Sequence, residues 1–506
     1  MSTLISFPQI CAEKLLRILV ICCTIFTACG SYDQNVKDRI TLAAVGDKRI
    51  ITADDFAQRA LYAKRPEYCA ENHFIHKKII LNSLIAEKIC ALEEGEDNLL
   101  TSSPRFQVYL KSLRELAMRH QLFLNDFYKP AKADSIELEK ALRVAHRVYE
   151  IAYFTLADRQ SADSVRHLLY AKQNTFSHVL SRIANVDSLP TRKVKWLTEQ
   201  NGILKEKLYQ DSVKTGTLMG PIQHTDSSWI LIKVLDVQEK GLKNEIQQHA
   251  TKSILKEKLR GENAVHAFEQ YKSRLVKSTF VSFDSTILHT VLDTIRVIYA
   301  HSQIVGKKSG NQYWRHKDNC LQFDELVNHF EQQRNEMFFH VNGTAWTVER
   351  FLLEVASHPL RLDCRHINDQ LAHHFKNAVV DLLRDKAITD ESYNRGYDQL
   401  EKIDHYVLMF KDAYVAELHR EFYLQDIGKQ ADFTSSYTYV TKQYLNPYIQ
   451  NLLMKYADEI VVNNQLLQKI DLNNYYSFAF DDNNPASLLV PRFPILTTRK
   501  WLDYSS

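Results

Sequence analysis

Apolar residues along this chain fall into helical-period stripes broken by short extended runs, and the arrangement occurs twice. Val45-Gly46-Asp47-Lys48-Arg49-Ile50-Ile51-Thr52-Ala53-Asp54-Asp55-Phe56 is echoed by Val341-Asn342-Gly343-Thr344-Ala345-Trp346-Thr347-Val348-Glu349-Arg350-Phe351. Both predict a short hairpin feeding a helix. Thr52 and Thr347 stand where a side-chain oxygen can accept from backbone N–H groups at a helix start, and acidic residues in the first turn suit the helix dipole. Phe56 and Phe351 follow four residues on, facing the core. Leu81, Leu84, Ile85, Ile89 and Leu92 then give one apolar stripe at helical spacing. Leu84-Ile85-Ala86-Glu87-Lys88 matches Leu382-Leu383-Arg384-Asp385-Lys386, 32 and 35 residues after the two threonines. Each copy carries a further long helix, Phe106 to Phe127 and Ile403 to Leu424. Shared hairpin, cap and order predict a duplicated module.

Between the copies the character changes. Val148 to Phe154 reads as a strand, and Ala162 to Gln173 as a helix with Val165, Leu168 and Leu169 inward. A second helix is expected near Phe176 to Ile183, a turn at Gly216-Thr217-Leu218-Met219-Gly220-Pro221-Ile222, and a closing buried strand from Trp229 to Leu235. This is an α/β unit of about ninety residues. Asn244 to Leu275 reads as a charged helix with Ile254, Leu255, Leu259 and Phe268 on one face. Residues 281–340 carry mixed signals. Tyr444-Leu445-Asn446-Pro447 enters a helix through Tyr456, and a polar, proline-bearing tail is expected at the surface or partly disordered.

The 506 residues are 45% hydrophobic and 25% charged, with 13 Gly and 11 Pro, which excludes collagen-like and wholly disordered chains. Net charge is +3, too balanced for a nucleic-acid polycation. Lys14 and Arg17 precede a weakly polar or apolar run from Ile18 to Ala28, eleven residues where a bilayer span needs about twenty. Positive charge, a short apolar core and small residues make a secretory signal. The end, Phe26-Thr27-Ala28-Cys29-Gly30, resembles a bacterial lipobox, which implies acylation of Cys29 as the mature N-terminus, with Phe26 departing from the usual Leu. Such a chain is tethered to a membrane surface, not threaded through it.

Cys69, Cys90, Cys320 and Cys364 are too few for a disulfide scaffold. Cys69, His73 and His76 have same-face helical spacing, and Cys364, His366, His373 and His374 form a second cluster, a soft donor set of the kind that holds zinc. A Cys69–Cys364 disulfide and free buried thiols are the alternatives. Without a CxxC pair or tight HxxxH, no metal is assigned and no cofactor is required.

The hairpin-cap-helix opening, the Leu-Ile-x-x-Lys helix, and an inserted unit ending in Gly220-Pro221-Ile222 and Leu231-Ile232-Lys233-Val234-Leu235 together resemble SurA-type periplasmic foldases. In that family a helical chaperone module is interrupted by parvulin-type (PpiC) peptidyl-prolyl isomerase domains. The likeness covers residues 42 to about 275, and 341 to 427 as a helical module alone. The fold implied is mainly α with an inserted α+β parvulin-like domain and two SurA-N-like helical modules. Its divisions are signal 1–28, tether 29–41, first module 42–146, parvulin-like domain 147–238, connecting helix 239–280, unassigned segment 281–340, second module 341–428, and C-terminal helix and tail 429–506.

The resemblance implies a chaperone for unfolded outer-membrane and other envelope proteins, held in the periplasm of a Gram-negative bacterium by its lipid anchor, with no nucleic-acid partner. It also implies a catalytic pair of histidines on two strands, but those positions fall at Ala152 and Ile230. The family's glycine-rich turn is replaced by Arg192-Lys193-Val194-Lys195 before Trp196, and its pocket aromatic falls near the polar run Gln210-Asp211-Ser212. Catalysis is therefore expected to be lost, Asp187, His178 and His224 being the groups that could compensate. The alternatives are an active isomerase with an altered site and a structural lipoprotein of an envelope assembly. No Gly-rich phosphate loop, G-x-S-x-G elbow or H-E-x-x-H helix points to another enzyme.

Overall fold

The computed structural model describes residues 40–47, 49–156, 158–170, 176, 178–179, 190–196, 199, 202–210, 212–225, 228–239, 245–304, 329–330, 332–358, 360, 362, 371–472, 484 and 486–501. The chain forms two units. The first takes residues through Leu110, His405–Tyr475 and the chain from Val490, and the second takes Lys111–Asp404 and Tyr476–Leu489.

In the first unit, β1 (Thr41–Val45) and β2 (Arg49–Thr52) pair antiparallel and turn Ala43, Val45 and Ile51 inward. Thr52 caps α1 (Ala53–Tyr62) as expected. Its hydroxyl accepts from the Asp55 N–H at 3.0 Å while the Asp55 carboxylate accepts from the Thr52 N–H at 2.9 Å, satisfying two donors that a helix end leaves open. Phe56, Ala57 and Ala60 of α1 enter the core. The helix α2 (Phe74–Glu94) departs from its one-sided stripe, being buried without a break from Ile79 to Ala91. Its polar side chains are paired inside: Arg59 donates to both Glu87 oxygens at 3.0 and 2.7 Å, and Lys88 donates to Asp412 at 2.9 Å. Charges removed from water are tolerated only with such partners. Of α3 (Pro104–Phe123), residues 104–110 belong to this unit, and Phe106 and Tyr109 pack edge-on against Tyr414.

The second unit holds the rest of α3 and α4 (Ser135–Val144), capped by Asp134. There follow β3 (Arg147–Leu156), α5 (Arg159–Tyr170), β4 (Thr191–Lys195), α6 (Gly202–Leu208), β5 (Leu218–Thr225) and β6 (Ser228–Glu239). The strands form an antiparallel sheet in the order β4-β3-β6-β5, apolar on both faces. One face sets Tyr149, Ile151, Ile230, Ile232 and Val234 against Leu204, Leu208 and Tyr209, and against Leu255 and Leu259 of α7 (Glu245–Leu275). The other sets Ala152, Phe154 and Leu231 against Val165, Phe176 and Val179. The helix expected to connect domains thus supplies core to the sheet.

Several expectations within this sheet are corrected. Leu168 is 49% exposed, so α5 buries Val165 and half-buries Leu169 instead. Arg192 to Lys195 is a strand. The Gly216–Ile222 turn is largely strand β5, because a proline is tolerated where its missing N–H faces away from the ladder, and β5 is an edge. Gly220 is required there. Its φ is +115°, and a Cβ would lie 2.6 Å from the Ile230 carbonyl oxygen. Of the second helix, only Phe176, His178 and Val179 are described.

The segment 281–340 resolves into β7 (Val281–Phe283), α8 (Ser285–Ile304) and the start of β8 (Met337–Val341), so the boundary expected at 341 falls at the end of β8. Asn342 (φ 51°) and Gly343 (φ 78°) make the tight turn to β9 (Thr344–Thr347). Thr347 caps α9 (Val348–Ser357), accepting from the Arg350 N–H at 3.3 Å. With α10 (Leu371–Asn394), an aromatic core forms in which Phe338, Phe351 and Phe375 meet with ring centroids 5.0–6.2 Å apart.

Back in the first unit, residues 405–426 of α11 (Glu401–Asp426) cover α2, and α12 (Gln430–Val440), α13 (Asn446–Lys455), β10 (Ile460–Val462) and α14 (Asn464–Lys469) follow. Pairing Val45 with Ile460, β10 completes the first sheet as β10-β1-β2, just as β7, pairing Val281 with Val341, completes β7-β8-β9. Each added strand runs into a capped helix, through Asn463 and Asp284. Each hairpin is therefore part of a three-stranded sheet, one taking its third strand from later in the chain and the other from before it. The tail is also corrected. Phe493 and Leu496 are 4% and 2% exposed, and the Arg492, Thr497 and Arg499 carbonyls accept from Arg59, Ser83 and Asn82.

Candidate functional site

Four antiparallel strands turn successive side chains to opposite faces, and this alternation separates the two positions that the foldase resemblance marks for histidine. Ala152 lies opposite Lys233 and packs with Phe154 and Leu231, whereas Ile230 lies opposite Thr155 and packs with Tyr149 and Ile232 on the other face. They are 0% and 3% exposed. They do not face one another, and neither offers a donor, acceptor or proton.

None of the compensating groups forms a site that the structure describes. Asp187 lies outside the described residues, His178 is exposed, and His224 falls on β5 with its side chain outside the described set. Cys29 also lies outside the described residues. An aromatic does stand one residue before Gln210: Tyr209 is 8% exposed, meets Tyr149 edge-on at 4.9 Å, and donates to the Val194 carbonyl at 3.2 Å. Burial first, then the charges of Tyr149 and Glu199, push its phenol above the ordinary value, so it stays a neutral donor.

Beside Tyr209, on the face away from Ala152, α4, α6 and α7 leave a cleft of ≈ 550 Å³, a size that holds a small ligand or a few side chains. Its floor is apolar and aromatic, with Ala141, Val144, Trp196, Tyr209 and Leu259. Lys140, Arg143 and Lys205 face Glu137, Glu206 and Glu262 around it. Lys205 lies 4.3 Å above the Trp196 ring and donates to Glu262 at 2.7 Å, so the rim is cross-linked and the indole face already engaged. Such a cleft can hold apolar side chains and satisfy either sign of charge. It offers no paired nucleophile and base. The sequence reading put a polar run near Gln210 where a pocket aromatic was expected and so missed Tyr209 beside it, and the apposition of α4 and α7 across the cleft carries no local signal.

Among the described residues no group of three His, Cys, Asp or Glu side chains is arranged to hold a metal ion. Cys69 lies in a one-turn 3₁₀ helix with its thiol on the Pro66 carbonyl at 3.7 Å, and burial raises it to about 12 against a lowering by Arg65. His73 is 77% exposed beside Glu71 and precedes α2, so Cys69, His73 and His76 do not share one helix. Cys320, Cys364 and His366 lie outside the described residues, while Cys69 and Cys90 are free and buried. His373 and His374 lie in the first turn of α10, ring centroids 5.9 Å apart.

No family model matches the chain, and no curated protein or solved structure matches it. What the fold defines is a mainly helical protein with small antiparallel sheets, one of them in an α+β unit.

Proposed function

We propose that the protein is a lipid-anchored periplasmic chaperone that holds unfolded envelope proteins, chiefly outer-membrane barrels, and that its four-stranded unit is an isomerase shell without catalysis. The observation that carries the reading is the pair Ala152 and Ile230: aliphatic, buried, and on opposite faces of the sheet. A protein-catalysed twist about a prolyl bond must lower a barrier of about 18–20 kcal/mol, and two hydrocarbon side chains in separate cores supply no hydrogen bond to do so. The sheet between Arg147 and Glu239, flanked by helices, supports the family resemblance. The cleft of Trp196 and Tyr209 supports binding, since an apolar floor with mixed charge at its rim accepts many sequences.

Diluting a urea-unfolded outer-membrane barrel into buffer with the mature protein tests the reading by light scattering. Aggregation is expected to fall in proportion to added protein without any nucleotide. Scattering that is unchanged at a molar excess would remove the chaperone reading and leave a structural role in an envelope assembly.

A further inference from the structure

The two three-stranded sheets can be compared row by row. In β10-β1-β2, Ala44 lies opposite Val461 on one side and Ile50 on the other, so the three side chains form one row across the sheet. In β7-β8-β9 the matching row is Ser282, His340 and Ala345, Ile50 and Ala345 each standing two residues before the capping threonine. Side chains alternate between the faces of a sheet, and the neighbours of both rows are buried: Val45, Ile51 and Ile460 in the first sheet, Phe339 and Trp346 in the second. Both rows therefore face away from the core.

Their chemistry differs. In the second sheet the row is small or polar, with Ser282 and Ala345 exposed and His340 half-buried, as suits a face turned to water. In the first, Val461 is 67% exposed and Ile50 38%. Single apolar side chains on a surface are ordinary. These two, however, adjoin through Ala44, and Ile40, 48% exposed, leads into the same sheet. The chain arrives at β1 from Cys29: Ile40 stands eleven residues after that cysteine, a span of at most about 36–40 Å when extended. The turn at one end of the row carries Asp47 and Lys48, with the Glu459 carboxylate beside Gly46, so the charge there gives no attraction to anionic headgroups.

We propose that the row Ile50–Ala44–Val461 is a lipid-contact face that seats the first unit on the bilayer carrying the Cys29 anchor. The inference rests on the anchor of the proposed function and adds to it the face that the first unit turns to the membrane. A patch of this size binds lipid weakly by itself, since affinity follows the apolar area buried. Behind a tether of this length the bilayer stands at an effective concentration of about millimolar, and a weak contact then suffices. The second sheet, whose row is polar, has no such face. The contact is apolar, so it holds on zwitterionic lipid and does not weaken with salt.

The test holds the whole mature chain on phosphatidylcholine vesicles through an N-terminal hexahistidine and a nickel-chelating lipid, so that it does not depend on acylation. Benzoylphenylalanine takes the place of Val461 or, as the reference, of Ala345; melting curves check that each protein is folded, and ultraviolet light fixes the contacts. Position 461 should take up about tenfold more radiolabelled phospholipid than position 345, at high salt as at low, and Ile50→Ser should lower that labelling severalfold. Equal labelling at the two positions, labelling at 461 that Ile50→Ser leaves unchanged, or cross-linking of 461 to a second copy of the chain in place of lipid would each overturn the proposal. Because the nickel lipid replaces the acyl chain, such a result would leave the anchor standing; failure of the anchor is read separately, by fractionating the Cys29→Ser protein.

Discussion

At the residue scale, burial sets the chemistry of single groups in this protein, and His120 is the clearest case. It is 4% exposed, its Nδ1 lies 2.7 Å from the Ala486 carbonyl oxygen, and its Nε2 is buried without a partner among the described residues. Burial pushes the imidazole down to about 4 from its ordinary 6.5, more than the hydrogen bond raises it. The ring is therefore neutral, with Nδ1 donating to the carbonyl. Because the unfolded chain binds the proton more readily, stability rises with pH between these values: it is full above about 6.5 and is lost as pH falls towards 4. The loss amounts to about 3 kcal/mol from this one group. Melting curves from pH 7 to pH 4.5 should show that dependence, and His120→Gln should flatten it. An unchanged slope in the variant would place the acid sensitivity elsewhere.

At the element scale, the ten residues from 490 to 499 behave as a strap. Phe493 and Leu496 join the core that holds α2, while backbone carbonyls of the strap take up Arg59, Ser83 and Asn82. Phe493→Ala is expected to cost about 3–5 kcal/mol of first-unit stability, read as an earlier urea transition with the second unit's transition in place. A cost below about 1 kcal/mol would mean that the strap is only laid on the surface.

The strap also marks how far the sequence could be read. Hairpins, caps and long helices were legible because their signals are local: Thr52 and Thr347 cap as their spacing predicts, and Asn342-Gly343 makes the turn. The strap, the third strands β7 and β10, and the all-round burial of α2 depend on partners far away in sequence. Glu87 and Lys88 stand off the apolar stripe that the sequence shows, yet both are buried because Arg59 and Asp412 reach them. Gly220-Pro221 read as a turn because nothing nearby says that its strand is an edge. In the candidate site, the aliphatic character of positions 152 and 230 was legible, but the separation of Ala152 and Ile230 by the sheet alternation was not. It follows from the pairing of β3 with β6, which sets Ala152 opposite Lys233 and Ile230 opposite Thr155.

At the scale of the whole molecule, the first unit closes only when β10 and the strap have joined β1 and α2, pairing Val45 with Ile460 across most of the chain. Its sheet thus needs the chain end, and folding of this unit is non-local in the sense that slows closure. The proposed lipid anchor is tested at this scale as well. Replacing Cys29 with Ser should move the protein from the membrane to the soluble periplasmic fraction on fractionation, and a variant that stays with the membrane would point to attachment through the folded units. The proposed function makes the four-stranded sheet a parvulin-like shell without a catalytic pair. Prolyl isomerisation of short X-Pro peptides, followed by exchange NMR with the full mature protein, tests that most directly. The account predicts exchange at the uncatalysed rate, tens to hundreds of seconds at 25 °C, whatever the protein concentration. A rate that climbs in proportion to added protein would contradict it.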